Sequence, residues 1–329
     1  MSDDTNEQHD HSHTPASPDD STQTPRIVVV GSINMDLVVR TAVMPTPGQT
    51  VMGHSLATIP GGKGANQAIA AVRCGAAVDM IGRIGHDDFG QRLLLKLQTG
   101  GVNTNGILAS ESVSTGTAMI MVDDNGENTI CIAPGANELL TAEDIDNQSE
   151  LIANADVVLI QLEIPQDTAA YVLHIAKHHN VPVILNPAPA PEKISPALFD
   201  ADIIIANQDE TSRLTGEPAN DVHAAKMAGS ALLARGAKVV IVTLGRRGAL
   251  SLTTEQMFHI RPFPAKVVDT TGAGDAFCGA FAAAYARKDN IYDASRFAAA
   301  AGALACGKFG AQPSMPRLRD VQKLIQRSC

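Results

Sequence analysis

A carboxylate stands directly behind three small residues in the stretch "DTTGAGDAF". Gly272, Ala273 and Gly274 offer almost no side chain, and the Ala-rich sequence after Asp275 predicts a helix that begins here. The first N–H groups of a helix have no partner within it, so a helix start can bind an anion such as a phosphate. Asp275 is therefore either a simple helix cap or a reacting group beside a bound anion.

Polar residues also follow two predicted strands. Asn34 and Asp36, in "GSINMD", come after the first strand and lie on one side of the chain if it stays extended. An amide and a carboxylate suit the vicinal hydroxyls of a sugar, although a strand end that makes local turn bonds is the alternative. Glu163, in "QLEIP", ends a buried strand, where an unpaired charge is costly and a ligand hydroxyl is one candidate partner.

The stretch "PGGKGANQAIAA" is a second glycine-rich entry into a helix. Gly61, Gly62 and Gly64 permit close backbone approach, and Asn66 projects from the first helical turn. It is not a Walker A loop, because Lys63 is followed by glycine and not by Ser or Thr. A ligand-binding turn and a plain loop both remain open for this stretch.

Two later turns suit a nucleotide. "NQDE", residues 207–210, places an amide and a carboxylate after a strand, a combination that suits a hydrated Mg²⁺ accompanying phosphates. "VTLGRRG" supplies Thr243, Gly245 and Gly248, which are small enough for a nucleotide to lie against. "GAGDAF" is not a dinucleotide fingerprint, since Phe277 stands at the third glycine position, and this argues against an oxidoreductase.

All these residues follow short apolar segments that alternate with helical ones. "RIVVVGS", "VDMIGRIG", "ADVVLIQLE", "VPVILNPAP", "ADIIIANQDE" and "AKVVIVTLG" are apolar on both faces, as in a parallel sheet covered on both sides. "ANQAIAAVRCG", "DTAAYVLHIAKHHN" and "DVHAAKMAGSALLARG" are predicted helices between them. The pattern predicts an α/β fold, with a doubly wound, mostly parallel central sheet flanked by helices. Ligands of such sheets bind beyond the carboxyl ends of the strands.

Two segments, at about 35–60 and 114–133, break this rhythm by alternating apolar and polar residues. Alternation indicates strands with one wet face, and "DDNGEN" indicates a hairpin turn between two of them. We predict that both segments form a small antiparallel sheet that covers the site as a lid.

Composition narrows the class of protein. The 329 residues have a net charge of −10, but six acidic residues and no Lys or Arg fall within residues 1–25, which leaves about −4 for the rest. We predict a disordered acidic tail over residues 1–25, one domain over residues 26–329, and a small-molecule partner instead of a nucleic acid. Five cysteines without CxxC spacing, no long apolar run and no basic leader predict a cytoplasmic protein with free thiols and no membrane span.

The motifs "GSINMD", "GGKGANQA", "NQDE" and "DTTGAGDAF", in this order, resemble those of the PfkB family of sugar kinases. The resemblance runs from about Arg26 to "GAQPSMP", and with "PTPGQT", "QLE" and "LNPAPA" it is most similar to the members that phosphorylate D-ribose at the 5-hydroxyl. It implies that Asp275 is the catalytic base and that Gly272, Ala273 and Gly274 form its anion hole. Of the two readings of Asp275, a helix cap or a reacting group, the resemblance favours the reacting group.

The resemblance also assigns the remaining site residues. The sugar would be bound by Asn34, Met35, Asp36, Gly62, Lys63, Gly64, Ala65, Asn66, Glu163 and Asp275. The nucleotide would be bound by Asn207, Glu210, Thr243, Leu244, Gly245, Arg246, Arg247, Gly248 and Gly274. An activating K⁺ would be bound by Asp269, Thr271, Ala305, Lys308, Gly310 and Ser314.

The implied activity is ATP-dependent, requires Mg²⁺ and is activated by K⁺. A homodimer through the lid sheets is expected, since an exposed sheet favours pairing through its open face or edge. Two alternatives stay open. One is a sister kinase for deoxyribose or another small sugar or nucleoside. The other is a non-catalytic sugar-sensing protein on the same fold, which would be expected to lose the base or the anion-hole glycines.

Overall fold

The computed structural model describes residues 24–328, so the predicted acidic tail lies outside the described residues except for its last two positions. The strands are β1 Arg26–Val30, β2 Asn34–Thr41, β3 Gly53–Gly61, β4 Ala77–Gly85, β5 Val102–Ser110, β6 Gly116–Val122, β7 Asn128–Ala133, β8 Val157–Gln161, β9 Val183–Asn186, β10 Ile203–Asn207, β11 Val239–Thr243, β12 Ala249–Leu252 and β13 Met257–Ile260. The helices are α1 Lys63–Arg73, α2 Asp88–Thr99, α3 Ala142–Asp146, α4 Ser149–Ala153, α5 Gln166–His178, α6 Gln208–Thr215, α7 Val222–Leu233, α8 Ala273–Ala286, α9 Ile291–Ala305, α10 Ala311–Ser314 and α11 Leu318–Arg327.

The central sheet contains nine strands in the order β13-β12-β11-β10-β9-β8-β1-β4-β5. Its pairs from β10–β11 through to β4–β5 are parallel, which confirms the predicted mostly parallel sheet. The last two strands, β12 and β13, are antiparallel additions at one edge. The six apolar segments that predicted strands supply β1, β4, β8, β9, β10 and β11.

Helices cover both faces of this sheet, as the doubly wound prediction requires. Along β1, Ile27 and Val29 pack into a core shared with α1, α2, α8 and α9, whereas Val28 and Val30 pack into a second core on the opposite face. Burial of β-branched residues on both faces explains why these strands are continuously apolar. The predicted helices that follow "GGKG", "IPQ" and "PAN" are α1, α5 and α7.

A separate four-stranded sheet, which we call the lid sheet, has the order β3-β2-β6-β7. Its strands come from residues 34–61 and 116–133, close to the predicted ranges, and the "DDNGEN" turn joins β6 to β7. One detail differs from the prediction, because the inner pair β2–β6 is parallel and only the outer pairs are antiparallel. The long connection through α1, β4, α2 and β5 makes a parallel pair possible, since it returns the chain to the same end of the lid sheet.

Within residues 24–328, no helix combines the length and the hydropathy that crossing a membrane requires.

Candidate active site

The site lies where the order of the central sheet reverses. The chain moves outward from β1 to β4 and β5 on one side, and the later strands from β8 to β13 extend on the other. A crevice opens at such a reversal, beyond the carboxyl ends of the strands. The segments that follow β1 and β8 reach this crevice together with the N-termini of α1 and α8, and hydrogen bonds join all four.

Asp275 occupies the third position of α8, and its side chain is buried. Asn66 donates a hydrogen bond of 2.9 Å to its Oδ2, and Gln67 donates one of 3.0 Å to its Oδ1. Burial raises the pKa of the Asp275 carboxyl, while the nearby Lys63 ammonium and the two amides oppose that rise. The arrangement is a desolvated carboxylate whose orientation is fixed from α1, which is what a general base needs.

The start of α8 depends on glycine. Gly272 is the N-cap, with a φ of 75°, and a methyl group there would collide with the backbone of Ala311 at 2.9 Å. At Gly274 the situation is opposite, because a methyl group would meet nothing within 4 Å. The helix start therefore packs tightly on one side and opens into free space on the other, where its unpaired N–H groups can meet an anion.

Glu163 organises the other half of the crevice. Its Oε2 accepts hydrogen bonds from the Ser32 hydroxyl at 2.5 Å, the Lys63 backbone N–H at 3.1 Å and the Asn34 amide at 3.4 Å. Gly62 makes this possible, since its φ is 86° and a methyl group would meet the Asn34 backbone nitrogen at 2.6 Å. The Glu163 carboxylate, for which the sequence shows no partner, thus accepts hydrogen bonds from the segment after β1, from β2 and from α1.

Asn137 fixes the orientation of Asn34, and sequence reasoning missed it. The Asn137 Oδ1 accepts from the Ile33 N–H at 2.9 Å, so its Nδ2 must face the Asn34 Oδ1, to which it donates at 2.7 Å. The Asn34 Nδ2 is therefore turned toward Glu163 and the crevice. The only signal for Asn137 is the word "PGAN", which follows β7.

Asp36 lies on the face of the lid sheet that continues from Asn34, and its carboxylate sits against Gly61. Burial raises the pKa of Asp36 to about 7, helped by the charges of Glu163 and Asp275 and opposed by Lys63. Burial would lower the pKa of Lys63, but Asp275, Glu163 and Glu210 together raise it. Lys63 is therefore the cation of an otherwise acidic crevice.

The raised pKa of Asp36 predicts how the stability of the ligand-free protein depends on pH. The folded protein retains the Asp36 proton up to a pH of about 7, whereas an unfolded chain releases it near pH ~4. The stability contributed by this proton is present at low pH and is lost as the pH rises from about 4 to about 7. We expect the melting temperature of Asp36→Asn to exceed that of the parent most at pH 8 and least at pH 5. A difference independent of pH would show that Asp36 titrates normally.

The segments predicted to bind a nucleotide end β10 and β11, which are neighbours, and Asn207 pairs in register with Thr243. Asn207 and Glu210 form a capping box at the start of α6, in which each side chain accepts from the other's backbone N–H at 2.8 Å. Burial raises the pKa of Glu210, with the Asn207 N–H and Lys63 opposing it. Arg246 and Arg247 lie exposed in the short turn beyond Thr243.

Three apolar residues among those predicted to bind a ligand have buried side chains. Met35 and Ala65 are fully buried, and Leu244 is 2% exposed within the second core. These residues can contact a ligand only through backbone atoms, and their side chains pack the walls of the crevice.

Of the residues predicted to bind K⁺, all but Ser314 fall in two adjoining segments, 269–271 and 305–310. Asp269 Oδ1 accepts from the Thr271 N–H and hydroxyl, and its Oδ2 accepts from the Gly310 N–H at 2.8 Å. Burial would raise the pKa of Asp269, but these hydrogen bonds lower it, so the carboxylate is ionised. The Asp269 N–H in turn donates to the carbonyl of Cys306, next to Ala305. The Ser314 hydroxyl is directed away from this loop, to the Ala311 carbonyl.

The chain is similar to known proteins over nearly its whole length. Residues 24–318 match the profile of the pfkB family carbohydrate kinase. The ribokinase of Bacillus subtilis strain 168 is 40% identical over 299 residues, which cover 91% of this chain and 99% of that protein. The deoxyribokinase of Salmonella typhi is 34% identical over 300 residues, covering 91% and 98%. The structure of Arabidopsis thaliana ribokinase complexed with ribose and ATP is 35% identical, has a TM-score of 0.85 and covers 92% of this chain and 99% of that one.

The strand order, the buried carboxylate at a helix start and the polar crevice are thus accompanied by similarity along the full length of the described domain. The chain belongs to the pfkB family of carbohydrate kinases.

Proposed function

We propose that this kinase transfers the γ-phosphate of ATP to the 5-hydroxyl of D-ribose. The observation that carries the proposal is the position of Asp275, a buried carboxylate at the start of α8 that accepts hydrogen bonds from Asn66 and Gln67 of α1. The similarity to ribokinases supports the choice of sugar.

In this proposal the crevice divides into two halves. Asn34, Asp36 and Glu163 hold the secondary hydroxyls of the sugar, since carboxylates accept and amides donate. The 5-hydroxyl then faces Asp275, which takes its proton as the oxygen attacks the γ-phosphorus. The open side of the α8 N-terminus, at Gly274, stabilises the negative charge that develops on the phosphoryl oxygens.

The nucleotide lies against the ends of β10 and β11, with Asn207, Glu210 and the turn 243–248 beside it. Within residues 24–328, no group of three His, Cys, Asp or Glu side chains could hold a metal alone. The donor set nevertheless fits Mg²⁺, because that ion keeps its waters and is held mainly by phosphates. Glu210 is the residue that would hold its hydration shell, since Oε2 is engaged by the Asn207 N–H and Oε1 is left for water. When bound, the metal neutralises phosphate charge.

We also propose that K⁺ binds where the 269–271 and 305–310 segments meet, with Asp269 as the anionic ligand. Formation of this site would brace the start of α8, which follows Thr271 by two residues. Replacing Na⁺ by K⁺ should raise both turnover and melting temperature in the parent, and Asp269→Asn should abolish both effects. Equal effects of the two ions on the parent would rule out a selective site.

A homodimer through the lid sheet is proposed on the exposure of its apolar side chains. Leu56 is 66% exposed and Met119 60%, and both lie on the face of the lid sheet opposite to Asp36. A second copy that buries these residues would explain their retention on a surface. Sedimentation of the parent should give twice the chain mass, and Met119→Asp should shift it toward the monomer. A monomeric parent would overturn this proposal.

The remaining proposals concern the domain and the compartment. We propose that residues 26–329 are sufficient for catalysis, so deletion of residues 1–25 should change neither melting temperature nor sugar kinetics. A clear loss of activity would show that the tail docks on the domain.

A cytoplasmic location is supported by Cys74, Cys131, Cys278 and Cys306, which are all free. Fractionation that places the protein outside the cytoplasm would contradict it.

A sugar panel with coupled ATP turnover tests the function directly. D-ribose should give the highest catalytic efficiency among ribose, 2-deoxyribose, arabinose, fructose and nucleosides. The second candidate substrate is deoxyribose, because a deoxyribokinase is also among the full-length relatives. Parity of the two sugars would overturn the choice of ribose while leaving the kinase, and no turnover with any sugar would favour a non-catalytic protein.

The two glycines of the α8 start offer a paired prediction. Gly274→Ala should fold normally, because a methyl group meets nothing within 4 Å. It should reduce catalytic efficiency for ATP about tenfold, since it occupies the space where phosphate meets the helix N–H groups. Gly272→Ala should lower the melting temperature, because a left-handed conformation costs an alanine about 1 kcal/mol or more and Ala311 blocks the methyl group. Parent-like kinetics for Gly274→Ala would show that phosphate does not use this space.

A further inference from the structure

Gln67 is a buried residue that was not among the predicted site residues, although it belongs to "GGKGANQA" and adjoins Asn66 in the first turns of α1. It is completely inaccessible to solvent, and all three of its side-chain hydrogen bonds are to side chains. Its Nε2 donates to Asp275 Oδ1 and to Asn186 Oδ1, both at 3.0 Å. Its Oε1 accepts from Gln161 Nε2 at 2.7 Å.

The direction of these hydrogen bonds follows from one backbone carbonyl. The carbonyl of Ile205 only accepts, so the side chain of Asn186 must present its Nδ2 there, at 2.8 Å. The Asn186 Oδ1 is then forced toward Gln67, which must answer with its NH₂ group. The same NH₂ group thereby faces Asp275. The Ile205 carbonyl of β10 thus fixes the orientation of Asn186, and Asn186 in turn ensures that Gln67 presents its NH₂ group, and not its oxygen, to the Asp275 carboxylate.

We propose that Gln67 is a positioning residue, which holds the Asp275 carboxylate in one orientation and in its ionised, proton-accepting form. This inference rests on the proposed function for the role of Asp275 as base. With Asn66 on Oδ2 and Gln67 on Oδ1, each oxygen has one lone pair engaged and one left for the substrate hydroxyl. If the Gln67 amide were turned the other way, its oxygen would face the Asp275 carboxylate oxygen, and this contact would favour the protonated form of Asp275.

Other charges also act on Asp275, and the tests leave them unchanged. These groups are Lys63 at the N-terminus of α1, Glu163 in the segment after β8, Asp36 in the lid sheet, Glu210 in α6 and Cys278 in α8. Burial is the largest influence and raises the pKa of Asp275, while the Gln67 donor is among those that lower it. Loss of that donor must therefore move the pKa upward.

The test replaces the donor at nearly constant volume. Gln67→Met removes both hydrogen bonds of the NH₂ group, and Gln67→Glu keeps the oxygen that faces Gln161 but puts a second carboxyl beside Asp275. Both variants should make Asp275 harder to ionise. The direct readout is a titration of carbon-13 carboxyl resonances in Asp-labelled protein, with the Asp275 signal identified by its absence from Asp275→Asn. We expect its midpoint to move upward by about one pH unit in Gln67→Met.

Single-turnover rates of ribose phosphorylation between pH 5 and 9 provide the second readout. The acid limb should shift in the same direction, with the KM for ribose within about threefold of the parent because Gln67 is not exposed to the crevice. Ser251→Ala is the matched control, since it also breaks a buried hydrogen bond, 2.8 Å from Ser251 to Ser295. It should lower the melting temperature without moving either pH profile.

The outcomes separate this inference from the proposed function. An unchanged Asp275 titration in both Gln67 variants overturns the positioning role, even if the parent phosphorylates ribose. An upward titration shift in a protein that phosphorylates no sugar upholds the positioning of Asp275 and overturns the proposed function. If Gln67→Met does not fold, Gln67→Leu decides, because it also removes the NH₂ donor and adds no charge beside Asp275.

Discussion

Replacing Asp275 by Asn is expected to lower the rate of sugar phosphorylation by about 10²- to 10⁴-fold, the range that a general base contributes. The substitution keeps the shape of the side chain and removes its ability to take a proton. The measurement is the single-turnover rate with saturating MgATP and ribose, at the pH optimum of the parent.

Folding and ATP binding should survive this change. One of the two donors, Asn66 or Gln67, will face an NH₂ group instead of an oxygen, which costs a hydrogen bond. The variant also no longer buries a charge, and burial is what raises the pKa of Asp275. These effects oppose each other, so the melting temperature should stay close to that of the parent.

Asp221→Asn makes the same chemical change outside the site. Asp221 caps α7 by accepting from the Ala224 N–H, and Asn is an equally good N-cap. This control should therefore keep parental turnover. Turnover of Asp275→Asn within tenfold of the parent would remove Asp275 from the role of base.

Much of the fold could be predicted because its signals are local. Burial on both faces makes β10 apolar over its first four residues, from Ile203 to Ala206. Gly272 and Gly62 mark helix starts whose positive φ and close contacts favour glycine. The alternation in β2 and β6 follows from a sheet with one face toward the crevice. Each of these patterns spans only a few residues of sequence.

The unpredicted features depend on contacts between distant residues. Asn66 and Asp275 are 209 positions apart, and Ile33 and Asn137 are 104 positions apart. The local sequence around one member of each pair therefore does not indicate the other member. The parallel pairing of β2 with β6 is decided by the route of the chain between them. In the sequence, Gln67 cannot be distinguished from other polar helix residues, because its partners Asn186 and Gln161 are distant along the chain.

Asp36→Ala is expected to reduce catalytic efficiency for ribose far more than for 2-deoxyribose. The two sugars differ by one hydroxyl, and Asn34 and Asp36 begin the lid strand that faces the crevice. A buried polar group left without its partner costs roughly 1–3 kcal/mol, and a charged acceptor lies toward the upper end of that range. The parent should therefore prefer ribose by about tenfold to a hundredfold.

Loss of the carboxylate removes both the bond that ribose makes and the penalty that deoxyribose suffers. The efficiency ratio of the two sugars should fall toward one, at fixed saturating MgATP and K⁺. Asp124→Ala is the matched control, because this lid carboxylate lies in the hairpin turn and is 68% exposed. It should leave the ratio unchanged. A parent that discriminates, with an Asp36→Ala variant that discriminates equally, would move the hydroxyl contact to another residue, and Glu163, hydrogen-bonded to Asn34, would then be the acceptor to test.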